Sequence, residues 1–296
     1  MLKRILAAIA LLAAPAGAQD VGAQIDAARQ SVAAYQDFNA ARRAGWRPFG
    51  DHAPLMGQHY FDPSNPDYIS GEALDPRRPS NLLYAEIGGR QVLVSVAYNY
   101  RISDSEPLPS GFAGGSDVWH VHDVARFAQA VTLDRPLLRW AADRFLTPEF
   151  ESADGVRRER LAMVHLWTIP NPDGPFASHN RLLPYLQLGL PQDWVNGASK
   201  EAALGLALAT PDGCEMEIDP GAWIANVDRG TQRRLHDACD QAAEYVRARL
   251  GDRQSANAAG EAAWRAFDDI RNDALTPAQL MRIAAIVEDG PGLLCR

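Results

Sequence analysis

Two apolar segments on either side of a glycine pair give the clearest structural signal in the chain. They cover 81–87 (NLLYAEI) and 90–100 (RQVLVSVAYNY), with Gly88 and Gly89 between them. A tight two-residue turn needs positive φ at its central positions, which glycine adopts without steric cost, so the pattern predicts a β-hairpin. Alternation along the second segment predicts that five side chains share one face: Val92, Val94, Val96, Tyr98 and Tyr100.

Two further segments of this region have strand character. Residues 161–169 (LAMVHLWTI) are apolar on both faces, which is typical of a buried central strand. Residues 117–123 (DVWHVHD) are a short fourth candidate. Between them, 134–145 repeats apolar residues at helical spacing and predicts a short amphipathic helix.

Helical periodicity marks both ends of the chain. Residues 22–43 carry apolar side chains three and four apart, and Gly45 supplies a stop, which predicts one N-terminal helix. From 198 onward the chain is alanine-rich. The features predicted there are an N-cap at Ser199, helices over 231–250 and 257–273, and a capping box of Thr276 and Gln279 before a last helix.

These patterns predict an α+β fold: an antiparallel β-sheet or barrel-like core with an N-terminal helix and a C-terminal helical region. The expected organisation is a signal peptide at 1–19, the N-terminal helix at 20–45, a β-rich domain at 46–196 and an α-helical region at 197–296. The β-rich domain holds six of the seven histidines.

The first nineteen residues, MLKRILAAIALLAAPAGAQ, have the pattern of a secretory signal peptide. Lys3 and Arg4 precede an apolar run too short to span a bilayer, and 16–18 (AGA) is a small-residue cleavage pattern. We therefore expect a periplasmic or secreted protein. Cleavage would take the formal net charge from −8 to −10, because the segment holds two cations and no acids. Such an acidic chain is expected to have no nucleic-acid partner and no membrane partner after cleavage.

Three cysteines, Cys214, Cys239 and Cys295, lie in the last third of the chain. In an oxidising compartment two of them can pair, and we expect the pair to be Cys214 with Cys239. Their spacing does not resemble a zinc ribbon or a redox CxxC. A structural disulfide is therefore preferred over metal thiolates.

The pair His120 and His122 is the strongest chemical signal. On a strand, alternation places both rings on one face, ~6.6 Å apart along the chain, where two imidazoles can bind one ion. Zinc needs three or four donors, so further ligands must come from elsewhere. His165, inside the predicted buried strand, and His59, in a loop rich in turn residues, are the candidates. The alternatives are a hydrogen-bonded core histidine at His165 and an exposed loop histidine at His59.

Other polar or aromatic residues are candidates for supporting the site or lining a pocket. They are Glu86, Asp123, Trp167, Asn171, His179 and Asn180. Glu86 is a candidate fourth ligand or general base, and Asp123 a candidate ligand or orienting carboxylate; for Glu86 a surface position at a strand end is the preferred alternative, because charged residues are seldom buried unpaired. The asparagines have the alternative of bonding only to turn backbone.

Three motifs resemble those of an uncharacterised family of bacterial, often exported, proteins. They are GQHY at 57–60, DPRRPSNLLY at 75–84 and HLWTIPNPDGPFASHN at 165–180. The last is similar to the family pattern H-x-W-x3-N-P-x-G-x-F-A-x2-N, and the first to G-x-H-[YF]. The resemblance covers about residues 45 to 182. It implies no catalytic residues, but it places His59 and His165 in shared motifs.

The HxH pair also faintly resembles the cupin pattern. Here Gly115 precedes the pair and a Pro-x-Gly precedes His179, but Arg126 stands where the cupin glutamate would fall. Cupin-like β structure is therefore a minor alternative.

Three functions stay open on the sequence. The first is an exported metal-binding protein with a divalent ion, zinc or copper, held by His59, His120, His122 and His165. Met56 and Met163, near two of these histidines in sequence, hint at copper. The second is a metal-dependent enzyme with an open coordination position at the same site. The third is a non-catalytic binding module whose cavity is lined by aromatic residues: Trp46, Tyr98, Tyr100, Trp119 and Trp167.

Overall fold

The computed structural model describes residues 20–103, 106–112, 119–123, 136–137, 140 and 159–286. The predicted signal peptide, most of the predicted helix at 134–145, and Cys295 lie outside these ranges. No helix within the described ranges is both long enough and apolar enough to cross a membrane.

Seven strands of the described ranges form one sheet. Their bounds are β1 Arg47–Ala53, β2 Gly57–Phe61, β3 Tyr68–Ile69, β4 Asn81–Ile87, β5 Arg90–Ser103, β6 Trp119–Asp123 and β7 Glu159–Trp167. The order across the sheet is β1-β2-β4-β5-β7-β6 with antiparallel neighbours, and the short β3 pairs in parallel with the far end of β5. The α+β prediction is confirmed; among the described strands the sheet is open and does not close into the barrel that the cupin alternative requires.

The predicted hairpin is present, and both turn glycines have positive φ, 58° at Gly88 and 72° at Gly89. The prediction that five side chains of β5 share one face is wrong in part. A bulge shifts the register between Leu83 and Tyr84 of the partner strand. Val92 and Val94 therefore pack with one hydrophobic cluster, whereas the other three side chains pack with the cluster on the opposite face.

The N-terminal region is three short elements rather than one helix. They are α1 Val21–Ser31, a 3-10 turn Ala33–Gln36 and α2 Phe38–Ala44. Asp37 accounts for the break, because its side chain accepts a hydrogen bond from Asn39 N at 3.0 Å and starts a new helix. Gly45 ends α2 in the left-handed conformation, as predicted. Ala28, Val32 and Ala41 of this region pack on one face of the sheet.

The C-terminal region is helical, as predicted. Its elements are α3 Leu183–Gln187, a 3-10 turn Gln192–Val195, α4 Lys200–Leu208, α5 Gly213–Ile224, α6 Arg229–Arg247, α7 Arg253–Ala274 and α8 Pro277–Ile286. The Ser199 cap and the capping box before α8 are both formed. The predicted disulfide joins Cys214 on α5 to Cys239 on α6.

The helical region packs against the sheet domain. Leu55, in the connection between β1 and β2, is buried against Ala203, Leu204 and Ala207 of α4. Leu183 of α3 packs on the sheet face opposite to that covered by the N-terminal helices. Both faces of the central strands are therefore covered, which explains why β7 is apolar on both sides.

Candidate metal centre

The strand register places the predicted ligands of β6 and β7 on one face of the sheet. His120 pairs with Met163, and His122 pairs with Leu161. His165 lies two residues beyond Met163 on β7, so its side chain shares that face. The rings of His120 and His165 have centroids 4.9 Å apart, and those of His120 and His122 are 5.1 Å apart.

His59 lies on strand β2, so its predicted place in a loop is wrong. Strand β2 has only five residues and is bounded by turns, which hides its alternation in the sequence. Gly57 begins the strand with φ of 92°, and a Cβ there would lie 2.5 Å from the carbonyl oxygen of Tyr84. Only glycine therefore allows β2 to approach β4 this closely, and that approach places His59 opposite Leu83.

The curvature of the sheet brings His59 to the other histidines. Two strands separate β2 from β7, which in a flat sheet would place them ~14 Å apart. The ring centroids of His59 and His165 are nevertheless only 5.6 Å apart. The sheet therefore curls so that this face is concave. Ser95 and Ala97 on the intervening β5 are small and fully buried, which leaves room for the rings.

His165 is fully buried, and its ring is oriented by the backbone. Its Nδ1 lies 3.1 Å from the carbonyl oxygen of Ser178. Burial lowers the pKa of this ring well below the usual histidine value, and the nearby His59 and His179 lower it further. The ring is therefore neutral with a single N–H. A carbonyl oxygen can only accept, so the proton is on Nδ1 and Nε2 carries a lone pair.

His120 is 3% exposed, and neither of its ring nitrogens has a hydrogen-bond partner among the described residues. Burial is the main cause that lowers the pKa of His120 well below the usual value, and the neighbouring histidines, His165 first, add to it. A neutral imidazole with two buried, unbonded nitrogens costs ~1–3 kcal/mol for each unsatisfied group. His120 is therefore the least satisfied polar side chain of the cluster.

His179 belongs to the loop that follows β7. Its Nδ1 lies 3.0 Å from the hydroxyl oxygen of Ser178, and its Nε2 is buried with no hydrogen-bond partner in the described part of the chain. Burial lowers the pKa of His179 to about 3, with a smaller contribution from Lys200. His179 and His59 both affect the pKa of His120 and of His165. Five of the seven histidines of the chain thus lie close together.

The polar residues of the 165–180 motif hold this loop in place. Asn171 Nδ2 donates to the carbonyl oxygen of His179 at 2.6 Å, and Asn180 Nδ2 donates to that of Pro170 at 2.8 Å. Trp167 Nε1 donates to the carbonyl oxygen of Ala177 at 2.6 Å. These bonds fix the turn that presents Ser178 and His179 to the cluster. Both asparagines and the tryptophan therefore bond to turn backbone.

The remaining predicted residues lie apart from the rings or outside the description. Glu86 pairs with Gln91 near the end of the hairpin, and alternation places it opposite to Ala85, which shares the histidine face. The structure thus does not bring Glu86 into the cluster, and it gives no support to the predicted role of Glu86 as ligand or base. The backbone of Asp123 pairs with Arg160, and its side chain lies outside the described residues.

The aromatic residues offered as a cavity lining are core residues instead. Four of them are at most 4% exposed: Trp46, Tyr98, Tyr100 and Trp167. Trp119 is partly buried and packs edge-on against Tyr100, with ring centroids 5.7 Å apart. Because these side chains pack against one another and against the core, they give no support to a small-molecule cavity.

Sequence reasoning underrated two contributors to the cluster. Ser178 orients both His165 and His179, yet nothing in its own residue type marks that role. Met163 places its Sδ 3.3 Å from His165 Nε2. The signal for Met163 was available, because residues two apart on a strand share a face.

In their present side-chain conformations, no three His, Cys, Asp or Glu residues within the described ranges are arranged so that they could hold a metal ion. Comparisons of the chain with protein-family models, curated proteins and solved structures find no match. The resemblance of its motifs to the bacterial family therefore stays a prediction. Fold and site together define an α+β protein with a histidine cluster on a concave sheet face, in which His120 and His165 are buried and have lowered pKa values.

Proposed function

We propose that this protein is an exported metal-binding protein, and that the ion is held by ring nitrogens of His59, His120 and His165. His122 and His179 are the neighbours from which a fourth donor would come. The single observation that carries the proposal is His120, whose two ring nitrogens are buried beside another histidine without a hydrogen bond to any described residue.

The energetic cost of the cluster supports a ligand role. A core imidazole normally finds hydrogen-bond partners, because each buried unsatisfied polar group costs ~1–3 kcal/mol. His120 and His165 are buried next to each other instead, and burial, followed by the neighbouring histidines, lowers the pKa of both rings well below the usual value. A bound cation would supply a partner to one nitrogen of His120 and to Nε2 of His165 at once.

The spacing of the rings also fits a shared ion. With a metal–nitrogen bond of ~2.0 Å and a ring centroid ~1.1 Å beyond the nitrogen, two imidazoles at a tetrahedral angle have centroids about 5.1 Å apart. Between the proposed ligands the centroid distances are 4.9 Å for His120 and His165 and 5.6 Å for His59 and His165, and the neighbouring His122 lies 5.1 Å from His120. The backbone thus sets suitable separations, and metal binding requires the rings to turn about their side-chain bonds.

Orientation of His165 by a backbone carbonyl is a second favourable feature. Metal-bound histidines generally donate their other ring N–H to a carbonyl, a carboxylate or water, which fixes the tautomer and the ring direction. His165 already has this arrangement, with Nδ1 at Ser178 and Nε2 directed into the cluster.

Export is supported by two independent features. The N-terminal pattern is that of a signal peptide. The Cys214–Cys239 disulfide is of the kind that persists in the periplasm or outside the cell.

Metal content of the natively exported protein tests the proposal. The protein would be purified without a His-tag and analysed by mass spectrometry beside His120→Ala, His165→Ala and the control His236→Ala. His236 pairs with Asp219 on the surface of the helical region, at 2.8 Å. We expect about one metal per chain in the wild type and the control, and loss in both cluster variants. Substoichiometric metal after reconstitution, unchanged in either cluster variant, would end the metal hypothesis.

A further inference from the structure

The thioether of Met163 is directed into the histidine cluster. Met163 is 6% exposed and lies on β7, two residues before His165. It is opposite His120 in the register of β6 and β7, and its Sδ is 3.3 Å from Nε2 of His165. Sulfur and imidazole donors therefore meet at one point.

The contact between Met163 and His165 joins two electron-pair donors. The one proton of the neutral His165 ring is on Nδ1, where it bonds to the carbonyl oxygen of Ser178. The Nε2 lone pair then faces the thioether sulfur, which is itself only a weak acceptor. Neither atom can donate to the other, so the contact lacks the proton that would make it a hydrogen bond.

The separation of these two atoms matches a pair of ligands to one ion. With metal–sulfur and metal–nitrogen bonds of ~2.3 and ~2.0 Å, a tetrahedral angle places the donor atoms about 3.5 Å apart. The 3.3 Å between Met163 Sδ and His165 Nε2 is close to this value.

The donors that the structure brings together favour a monovalent cation. Within the described residues they are imidazoles and a thioether, none of which is an anion that would offset a bound cation. The cost of burying an ion in a low-dielectric interior scales with the square of its charge, which makes a divalent ion about four times as costly as a monovalent one. Soft thioether donors select copper(I) among the biological transition metals.

We propose that the ion of this site is copper(I), with the Met163 thioether as a ligand beside the imidazoles of His120 and His165. This inference rests on the proposed function, since it requires the histidine site to bind metal. It adds to the proposed function the oxidation state of the ion, a thioether ligand and a preference for copper(I) over zinc(II). Met56, which is 5% exposed and packs in the same hydrophobic cluster as Met163, keeps the sulfur in apolar surroundings.

The test compares copper(I) and zinc(II) affinities by competition with chromophoric chelators. Wild type, Met163→Leu and the control Met281→Leu would be measured, all in a Cys295→Ser background so that no thiol supplies sulfur. Met281 is 67% exposed on α8. Ascorbate in place of a thiol keeps copper reduced and leaves the disulfide intact. We expect Met163→Leu to weaken copper(I) binding by about tenfold or more and zinc(II) binding by less than about twofold, with no change in the control.

X-ray absorption at the copper edge of the wild type provides a measurement that does not depend on the variant folding. We expect a sulfur scatterer at ~2.3 Å together with nitrogen scatterers at ~2.0 Å. Zinc(II) binding with no copper(I) preference, no sulfur scatterer and no effect of Met163→Leu would overturn the copper(I) inference and leave the histidine site intact. Failure to bind either ion would overturn the proposed function as well.

Discussion

Replacing His120 with leucine should stabilise the metal-free protein. The ring is 3% exposed, and both of its nitrogens are buried without hydrogen bonds to the part of the chain that the structure describes. Removing one or both unsatisfied groups recovers ~1–3 kcal/mol, and the apolar side chain remains buried. The expected change in the free energy of unfolding is therefore ~1–3 kcal/mol in favour of His120→Leu, although most core substitutions destabilise.

The same substitution should abolish stabilisation by metal. A ligand at one hundred times its Kd stabilises the native state by about 2.7 kcal/mol if it does not bind the unfolded chain. The wild type should gain this amount on addition of metal, and His120→Leu should gain none. The difference in the free energy of unfolding between the two proteins should therefore become smaller, or change sign, when metal replaces chelator.

Urea unfolding in chelator and in excess metal, followed by tryptophan fluorescence, measures both effects. His236→Leu is the matched control, since it removes a partly exposed histidine from α6 and should change stability by no more than ~0.5 kcal/mol in either condition. The reasoning would be refuted if His120→Leu lost more than ~1 kcal/mol in chelator and kept the full response to metal. That result would identify His120 as an ordinary, satisfied core residue.

Three further predictions concern the scaffold. Reduction of the Cys214–Cys239 disulfide, which closes a loop with a sequence separation of 25, should cost about 3.5 kcal/mol, seen as a lower urea midpoint. Gly57→Ala should lower the free energy of unfolding by ~2 kcal/mol or more and weaken metal binding, because the added Cβ would meet a backbone carbonyl of β4. The control Gly251→Ala, with open space around it, should have neither effect. Equal effects in the two variants would contradict this prediction. Burial raises the pKa of Glu217 to about 8, so the native state holds a proton that the unfolded state releases above about pH 4.5. The free energy of unfolding should therefore fall as pH rises from 4.5 towards 8. In chemical denaturation Glu217→Gln should flatten this dependence on pH, and a steeper dependence in the variant would be the contrary result.

Local patterns were sufficient for the central sheet and most helices. The Gly88-Gly89 turn, the doubly apolar β7 and the Thr276 capping box are each encoded within a few neighbouring residues. Alternation likewise predicted that His120 and His122 share a face. Where a competing local signal was present the prediction failed, as at the Asp37 cap that interrupts the N-terminal helix.

Long-range geometry accounts for what the sequence could not reveal. The approach of His59 to His165 depends on the strand order and on the curl of a sheet with two strands between them. The bulge opposite Leu83 and Tyr84 depends on how two strands align, which neither strand encodes alone. The role of Glu86 in the site was predicted from its position at the end of a strand, but the strand register places its side chain on the face opposite to the cluster.

Nitrogen NMR of the histidine side chains tests the central claim most directly. With selectively ¹⁵N-labelled histidine, the metal-free protein should show a neutral His165 protonated at Nδ1, as its bond to the Ser178 carbonyl requires. One equivalent of metal should shift the unprotonated nitrogens of His59, His120 and His165 together and leave His236 unchanged. Ring signals that stay the same after metal addition, or a response confined to His236, would contradict convergence of the cluster on one ion.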